Sequence, residues 1–297
     1  MISLFAGKGG VGKTTCAAAS ALHHASHGER TLVITTDATP SLSHIFEITD
    51  KSKPSKVQEC LYVNELGLQE VKEMWDGRFG REVYEVFSSF VSIEYDDFLE
   101  FTISLLPGLF DEVIVNYVRE LELAKQYETI IWDTAPLGQT LALLQTPTLL
   151  MRHLRMAPRI YSRLKRGQEK KESMMDIINR WQKLSEVNMD FLRHRVNFTM
   201  VTIPEALAVQ QLDGVLSELT KFGIKVQQLI VNNVVNAPDS NFLMTRAKEQ
   251  SKYLKYIHEK FDYLKITELP MFPHEPKGLE RLKEAGEALF ESGYVHG

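Results

Sequence analysis

The chain has 297 residues, enough for one large α/β domain or two small ones. Its net charge of −5 and isoelectric point near 6.0 give no general attraction for DNA or anionic lipid, so we expect no nucleic-acid partner. No apolar run approaches the roughly 20 residues of a membrane-spanning helix. The chain starts directly with a strand-like segment, which argues against a signal peptide, and we expect a cytoplasmic protein.

The first predicted elements are a strand, Met1 to Ala6, and an alanine-rich helix, Thr15 to His27, joined by a glycine-rich loop. The full motif is Gly7, Lys8, Gly9, Gly10, Val11, Gly12, Lys13, Thr14 and Thr15. Its glycines let successive N–H groups point inward, and the helix adds the positive end of its dipole, so the motif predicts a triphosphate site. Lys13 would bridge the β- and γ-phosphates and Thr14 would ligate Mg²⁺, which makes ATP and Mg²⁺ the predicted cofactors. Lys8 stands where ordinary phosphate loops require no charge, and it indicates a dimeric ATPase.

Five further β-branched runs alternate with helical patterns. They are Thr31 to Thr36, Glu128 to Thr134, Val196 to Ile203, Val226 to Asn233 and Tyr263 to Leu269. Gly28 and Gly223 precede two of them, as C-terminal helix caps do. The alternation predicts an α/β fold with a mostly parallel sheet flanked by helices, whose ligands bind at the carboxyl ends of the strands.

Two segments do not fit this alternation. The first, at about 72–126, has apolar residues at helical spacing, and the second, at about 150–195, contains half of the methionines. We interpret both as helical insertions that form a subdomain beside the sheet of one ATPase domain spanning 1–297. A basic stretch, Arg159 to Glu172, is predicted to be a mobile loop.

Aspartates mark the carboxyl ends of two of the predicted strands, Asp37 just after the second and Asp133 at the end of the third. Beside a phosphate loop, such a carboxylate holds Mg²⁺ through water or orients the attacking water. We assign Asp133 to Mg²⁺ and Asp37 to the water, with Lys8 and Lys13 as the other catalytic residues. Gly138 is placed to flip its peptide on hydrolysis. The alternative for each aspartate is a helix cap.

The two cysteines, Cys16 and Cys60, form no Cys-x-x-Cys pair. Cys16 is most simply a small buried residue of the first helix. A structural zinc site or an iron–sulfur cluster built from thiolates of one chain is therefore not supported, and we expect no zinc.

Together these residues resemble the ArsA/GET family of arsenite-pump ATPases and cytosolic targeting ATPases for tail-anchored proteins. The motifs are Lys8 in the loop, Asp37 with Leu42 and Ser43, Asp133 to Pro136 with Gly138 and Thr140, Leu106 to Gly108, Ile203 to Glu205, Val231 to Asn233, Pro273 to Glu275, and Gly278 with Leu279. The resemblance covers nearly the whole chain. It implies a P-loop NTPase of the SIMIBI class with a deviant Walker A loop.

The resemblance also implies a nucleotide-sandwich homodimer in which Lys8 reaches the partner's phosphates and neutralises charge in the transition state. The further nucleotide contacts it implies are Glu205 across the dimer, Asn232 at the adenine edge, and the loop Pro270 to Lys277, with Pro273 and His274, around the base. Alternatively, Asn232 is a strand-end turn residue and Glu205 a helix-terminal charge.

The chain departs from the family pattern at three places. Ser240 to Leu243 stand where targeting ATPases carry a zinc-binding Cys-x-x-Cys, so the dimer would rest on nucleotide and direct packing. An arsenite site needs three converging thiolates, and two cysteines in a chain do not supply them. Gln139 and Ala142 replace a histidine and a basic residue of the second switch.

The leading hypothesis is a dimeric ATPase switch that binds a hydrophobic client helix and works with a membrane-associated receptor. The client groove would be lined by Phe98, Phe101, Ile103, Leu105, Leu106, Leu109 and methionines, whose unbranched side chains adapt to many shapes. The alternative for these residues is an internal helical core. Other functions kept open are an anion or metalloid transport ATPase, a MinD/ParA-like positioning ATPase, and a family member that hydrolyses ATP poorly. The acidic C-terminal segment argues against MinD, and the lack of cluster cysteines argues against a nitrogenase-reductase type.

Overall fold

In the computed structural model, the described residues are 1–36, 41–49, 53–88, 92–105, 108–134 and 174–291. Asp37, the Gly138 to Ala142 switch segment and the basic stretch Arg159 to Glu172 lie outside these ranges. The chain divides into two units, one of 1–67, 124–140 and 195–297, the other of 68–123 and 141–194. The single domain with helical insertions stays a prediction.

The first unit contains an eight-stranded sheet in the order β3-β4-β2-β5-β1-β6-β7-β8. Its strands are β1 Ile2–Gly7, β2 Thr31–Thr35, β3 Ser55–Gln58, β4 Leu61–Glu65, β5 Thr129–Asp133, β6 Asn197–Thr202, β7 Val226–Val234 and β8 Lys265–Pro270. The β3–β4 pair is antiparallel and the other described pairs are parallel. The predicted α/β fold with a mostly parallel sheet is therefore confirmed.

The described helices follow in chain order. They are α1 Lys13–Ser26, α2 Leu42–Phe46, α3 Leu68–Trp75, a π-helix Asp76–Gly80, α4 Arg81–Ser88, α5 Tyr95–Leu105, α6 Gly108–Ala124, α7 Met174–His194, α8 Ala206–Lys221, α9 Asn241–Lys260 and α10 Gly278–Glu291. Gly28 and Gly223 lie just after α1 and α8 with φ of +84° and +75°, so both predicted caps are confirmed. Within the described ranges, no helix is long and apolar enough to cross a bilayer.

The central strands β2 and β5 are buried along their whole length, as is typical of strands inside a parallel sheet. Helix α1 packs on this sheet through alanines that allow close approach, and Ala17, Ala18 and Ala19 are fully buried. This packing fixes the loop between β1 and α1 at the carboxyl edge of the sheet, where the site is expected.

The β3–β4 hairpin was not among the six predicted strands. Ser55–Gln58 is short and mostly polar, so its pattern is typical of a loop. The hairpin turns at Glu59 and Cys60. Cys60 has a φ of +64°, in the left-handed region that is uncommon for residues other than glycine. The carbonyl of Cys60 accepts a hydrogen bond of 2.7 Å from the Thr31 N–H, which ties the hairpin to β2.

The second unit is helical in its described part and has its own aromatic core. Trp75, Phe98, Leu99 and Val113 are at most 8% exposed. Phe98 is only 1% exposed, so in this structure it belongs to the internal core and does not line an open groove. The side chains of the other predicted groove residues from Phe101 to Leu109 lie outside the described ones.

Candidate nucleotide-binding site

The loop between β1 and α1 has the backbone that a phosphate site needs. Gly10 and Gly12 adopt φ of +79° and +91°, where residues with a Cβ are strained. At Gly7 a Cβ would overlap the Val201 carbonyl of β6. The glycines are therefore required by local geometry, and the loop leads into the positive N-terminus of α1 at Lys13.

Both lysines of the motif lie on this loop. Lys13 is 6% exposed, and its Nζ donates a hydrogen bond of 3.2 Å to the Lys8 carbonyl oxygen. Lys8 is half-buried and provides its backbone to this contact. Thr14 and Thr15, in the first turn of α1, are also half-buried. The loop thus combines an ammonium group, a helix N-terminus and two hydroxyls, the donors that a triphosphate with Mg²⁺ requires.

Asn232 contacts the same loop from β7. Its Nδ2 donates a hydrogen bond of 2.9 Å to the Val11 carbonyl, and the side chain lies against Gly12, where a Cβ would overlap the amide. An asparagine side chain can make about four hydrogen bonds, so this contact leaves capacity for a base edge. The adenine contact of Asn232 stays a prediction, whereas its support of the phosphate loop is a contact that the sequence did not indicate.

A bulge in β7 directs Asn232 toward the loop. The pairing of β7 with β8 shifts register between Val231 and Val234, and Asn233 has a φ of +61°. Gln250 of α9, which is 3% exposed, holds this bulge because its Nε2 donates to the Asn233 carbonyl at 2.9 Å. Two consecutive asparagines near the end of a strand are the only sequence signal for it, since asparagine tolerates positive φ.

Asp133 is fully buried at the carboxyl end of β5, between β1 and β2. Thr35 Oγ1 of β2 donates a hydrogen bond of 3.2 Å to Asp133 Oδ2. No sequence signal indicates this contact by Thr35, because it depends on the strand register. The helix-cap alternative for Asp133 concerns residues beyond 134, which are outside the described ranges.

Cys16 lies in the first turns of α1 and is fully buried, as predicted. Burial, with a smaller contribution from the Asp133 charge, raises the pKa of its thiol to about 12. The thiol is therefore protonated at neutral pH and is a poor ligand for a soft metal.

Glu205 directly precedes α8 and has extended backbone angles. Its carboxylate forms a 3.0 Å ion pair with Arg246 of α9 and no hydrogen bond to an N–H of its own helix. The observed partner is thus Arg246, which the sequence did not single out. The contact of Glu205 with nucleotide across a dimer stays a prediction.

Pro273 and His274 follow β8 and line a cavity of about 110 Å³ together with Phe272, Pro276, Arg281 and Glu284. The Met271 N–H donates to the Val234 carbonyl at 2.8 Å, which links the start of this loop to the end of β7. The loop therefore begins beside the strand that carries Asn232. Its role in wrapping the base stays a prediction.

Among the described residues, no group of three or more histidines, cysteines or acidic residues could hold a metal ion. Mg²⁺ in phosphoryl-transfer sites is usually bound by one or two protein ligands together with phosphates and water. A magnesium site formed by Thr14 and Asp133 has this number of protein ligands. Asp37, the predicted water-positioning residue, lies outside the described part.

Comparison with known proteins decides the family. Residues 1–291 match the family model for anion-transporting ATPases of the ArsA type. The chain belongs to the ArsA/GET3 family of ATPases. The family resemblance and the predicted ATPase activity are thereby confirmed.

Relatives of this ArsA/GET3 ATPase carry two kinds of name. A protein of Aquifex aeolicus whose name calls it an arsenical pump-driving ATPase is 31% identical over 97% of this chain and 98% of its own length. ATPase GET3A of Arabidopsis thaliana is 30% identical over 93% of this chain and 80% of its own length. ATPase GET3 of Podospora anserina is 29% identical over 95% of this chain and 88% of its own length. These names leave the specific role unresolved.

The family implies ATP and Mg²⁺, and the loop fits them. Bound MgATP supplies the γ-phosphoryl group that is transferred to water. The positive-φ glycines leave the loop backbone open to phosphate oxygens, Lys13 provides the cation, and Thr14 and Asp133 are the residues that would hold Mg²⁺. Asn232 and Thr35 keep the loop and the carboxylate in place.

Proposed function

We propose that this ArsA/GET3-family ATPase is a homodimeric switch whose nucleotide state controls binding of a hydrophobic client, such as the anchor helix of a tail-anchored membrane protein. A membrane-associated receptor would accept the client. The observation that carries the proposal is the pair of lysines on the phosphate loop. Lys13 alone meets the needs of an ordinary P-loop, so Lys8 is a second cation on a site that already has one.

In the proposed dimer, the Lys8 ammonium neutralises charge on the phosphates of the partner subunit. A cation supplied in trans stabilises the transition state and makes hydrolysis depend on dimer closure. ATP would thus be bound by the monomer through Lys13 and hydrolysed efficiently only in the closed pair. Such coupling gives the protein two states, the open and the closed pair, and nucleotide shifts the equilibrium between them, as a switch requires.

The thiol chemistry favours a protein client over a metalloid. Burial holds the Cys16 thiol protonated, with a pKa of about 12, and Cys60 is the other cysteine of the sequence. One remaining thiol per chain is insufficient for the three soft ligands that arsenite prefers. The Ser240 to Leu243 segment has no thiol either, so the proposed dimer is held by nucleotide and direct packing without zinc.

The test is photocrosslinking of the full chain to a synthetic peptide of one hydrophobic helix. Asp37→Asn protein with MgATP, in which hydrolysis is expected to be slow, should crosslink strongly, and the same protein with MgADP weakly. Leu105→Asp should reduce crosslinking, and Lys255→Asp, an exposed change on α9, should leave it unaltered. Light scattering should give a dimer with MgATP. If the crosslinking yield is the same with MgATP and MgADP and is unchanged by Leu105→Asp, the client proposal is refuted.

A second candidate is the ATPase subunit of a metalloid or anion transport system, which the name of the Aquifex relative favours. Arsenite or antimonite should then raise the ATPase rate severalfold, and Cys60→Ser should abolish the effect. Under the leading proposal, neither metalloid changes the rate. This assay is independent of the crosslinking test.

A further inference from the structure

The helical second unit contains a cavity of about 370 Å³ with a strong excess of positive charge. Its charged lining residues are Arg78, Arg119, Arg180 and Lys183, against the single carboxylate of Glu82. Its volume lies within the usual range of about 300–1,000 Å³ for small-molecule sites. None of the predicted nucleotide-site residues lies in this unit.

Two of these cations are already neutralised. Arg78 forms a bidentate ion pair with Glu120, one of whose bonds is 2.8 Å long. Hydrogen bonding from Arg78 is the main cause that lowers the pKa of Glu120 and keeps it ionised. Arg180 forms an ion pair with Glu82. These pairs connect α4, α6, α7 and the π-helix, and they hold the walls of the cavity.

The other two cations form no ion pair with a carboxylate of the described residues. Arg119 Nη2 donates to the neutral Asn116 Oδ1 at 2.7 Å, and its Nε is a buried N–H that has no acceptor within the described ranges. Lys183 is exposed at the rim and makes no ion pair within those ranges. A buried donor without an acceptor costs free energy, and a ligand oxygen would remove that cost.

We propose that this cavity binds a phosphate monoester that carries an apolar substituent. Arg119 supplies a planar fork of donors and Lys183 a point charge, a combination that matches phosphate oxygens. The two surplus charges equal those of a phosphate monoester, which carries about −1.5 to −2 at pH 7, whereas a carboxylate carries one. Phe79, Leu184 and Val187 form the apolar part of the lining.

The probe is phenyl phosphate, titrated calorimetrically into the full chain saturated with MgADP. Saturable binding is expected, and Arg119→Gln and Lys183→Gln should each weaken it by about tenfold or more, because each removes a charge-assisted contact.

Lys183 is exposed, so its variant should fold normally. Arg119→Lys should give an intermediate affinity. Lys255→Gln, which makes the same charge change on the first unit, should bind like the parent. Binding should also be weaker at pH 5 than at pH 7.5, because the second phosphate pKa is about 6.

Two sources of the phosphate monoester are distinguished by vesicle flotation. Recruitment to phosphatidylcholine vesicles containing phosphatidic acid, absent with phosphatidylcholine alone and lost in Lys183→Gln, assigns the site to a lipid headgroup. Binding of phenyl phosphate without such recruitment assigns it to a free metabolite. The proposal is overturned if phenyl phosphate does not bind, or if Arg119→Gln and Lys183→Gln bind it unchanged. None of these results bears on the nucleotide switch.

Discussion

Gly12 is subject to two separate constraints, its backbone angle and its distance to Asn232. Its φ of +91° costs a residue with a Cβ roughly 1–2 kcal/mol, and a Cβ would also overlap the Asn232 amide. Gly10 shares only the first constraint, since its φ is +79° and no atom lies within 4 Å of the position that a Cβ would take. Comparing substitutions at Gly10 and Gly12 therefore separates the cost of backbone strain from the cost of steric overlap.

We expect the Gly10→Ala loop to relax from its positive φ when free and to regain it when MgATP binds, which weakens binding by about 5–30-fold, the equivalent of that strain. Gly12→Ala should weaken it by roughly a further tenfold because the Asn232 amide must move. Titration with a fluorescent ATP analogue measures both. The control compares Asn232→Gly with Gly12→Ala/Asn232→Gly, where the added loss should fall to that of Gly10→Ala because only the backbone strain remains. Equal losses in Gly10→Ala and Gly12→Ala would contradict this account.

The buried thiol of Cys16 makes a pH-dependent contribution to stability. Its pKa is raised from 9.0 to about 12, so the folded protein keeps this proton at a pH where the unfolded chain loses it. The contribution is fully present below about pH 9 and is lost as the pH rises toward 12. Urea denaturation at several pH values above 9 should give a free energy of unfolding that falls more steeply in the parent than in Cys16→Ala, by up to about 1.4 kcal/mol per pH unit. If the free energy of unfolding falls equally steeply with pH in the parent and in Cys16→Ala, the predicted contribution of the Cys16 thiol is wrong.

At the residue scale, the sequence identified the phosphate loop because its chemistry is local. Loop glycines and Lys13 are contiguous, and their spacing alone predicts the site. The contact of Asn232 with Val11 joins residues 221 positions apart, so spacing could not reveal it. The register of β2 on β5 likewise brings Thr35 to Asp133.

Among the elements, the π-helix Asp76–Gly80 depends on a glycine. A Cβ at Gly80 would overlap the Asp76 carboxylate and lie 2.6 Å from the Tyr95 hydroxyl, which donates a hydrogen bond to Asp76. Burial is the main cause that raises the pKa of Tyr95 to about 12, so this hydroxyl stays protonated as a donor. Gly77, three residues earlier, has no atom within 4 Å of the corresponding Cβ position.

Gly80→Ala should destabilise the protein by about 1–3 kcal/mol, as overpacking does. Gly77→Ala should be neutral or stabilising by up to about 1 kcal/mol, because alanine has the higher helix propensity. Urea denaturation followed by far-ultraviolet circular dichroism gives both values. Tyr95→Phe removes one overlapping atom and should reduce the cost of Gly80→Ala in the double variant. The interpretation fails if alanine is equally tolerated at both positions.

Whether an element could be predicted depended on its length and the regularity of its pattern. The six strands with long β-branched runs were predicted within about two residues of their ends, as is normal for such boundaries. The β3–β4 hairpin and the bulge at Asn233 were missed because both need positive φ at residues other than glycine, which depends on tertiary contacts. In the helical unit, apolar spacing identified helices but could not tell that Phe98 is a core residue.

At the scale of the whole molecule, the proposed composite site predicts complementation between two defective subunits. Lys8→Ala should hydrolyse ATP slowly although it still binds nucleotide, and Lys13→Ala should fail to bind or turn over nucleotide. In a mixed dimer, the Lys8→Ala subunit keeps Lys13 and receives Lys8 from its partner. Each mixed dimer therefore has one complete site.

Equal mixing gives mixed dimers as half of the population, so about one quarter of the parent ATPase rate should return. Steady-state phosphate release after subunit exchange measures it. Mixing Lys8→Ala with the double variant Lys8→Ala/Lys13→Ala is the matched control and should restore nothing, because no subunit then carries Lys8. If Lys8 acts on its own loop, the mixture will only average the two separate rates, and the trans assignment would be wrong. Such an outcome would still leave Lys13, Thr14 and Asp133 as an intact proposal for the site within one subunit, because their placement does not depend on a partner.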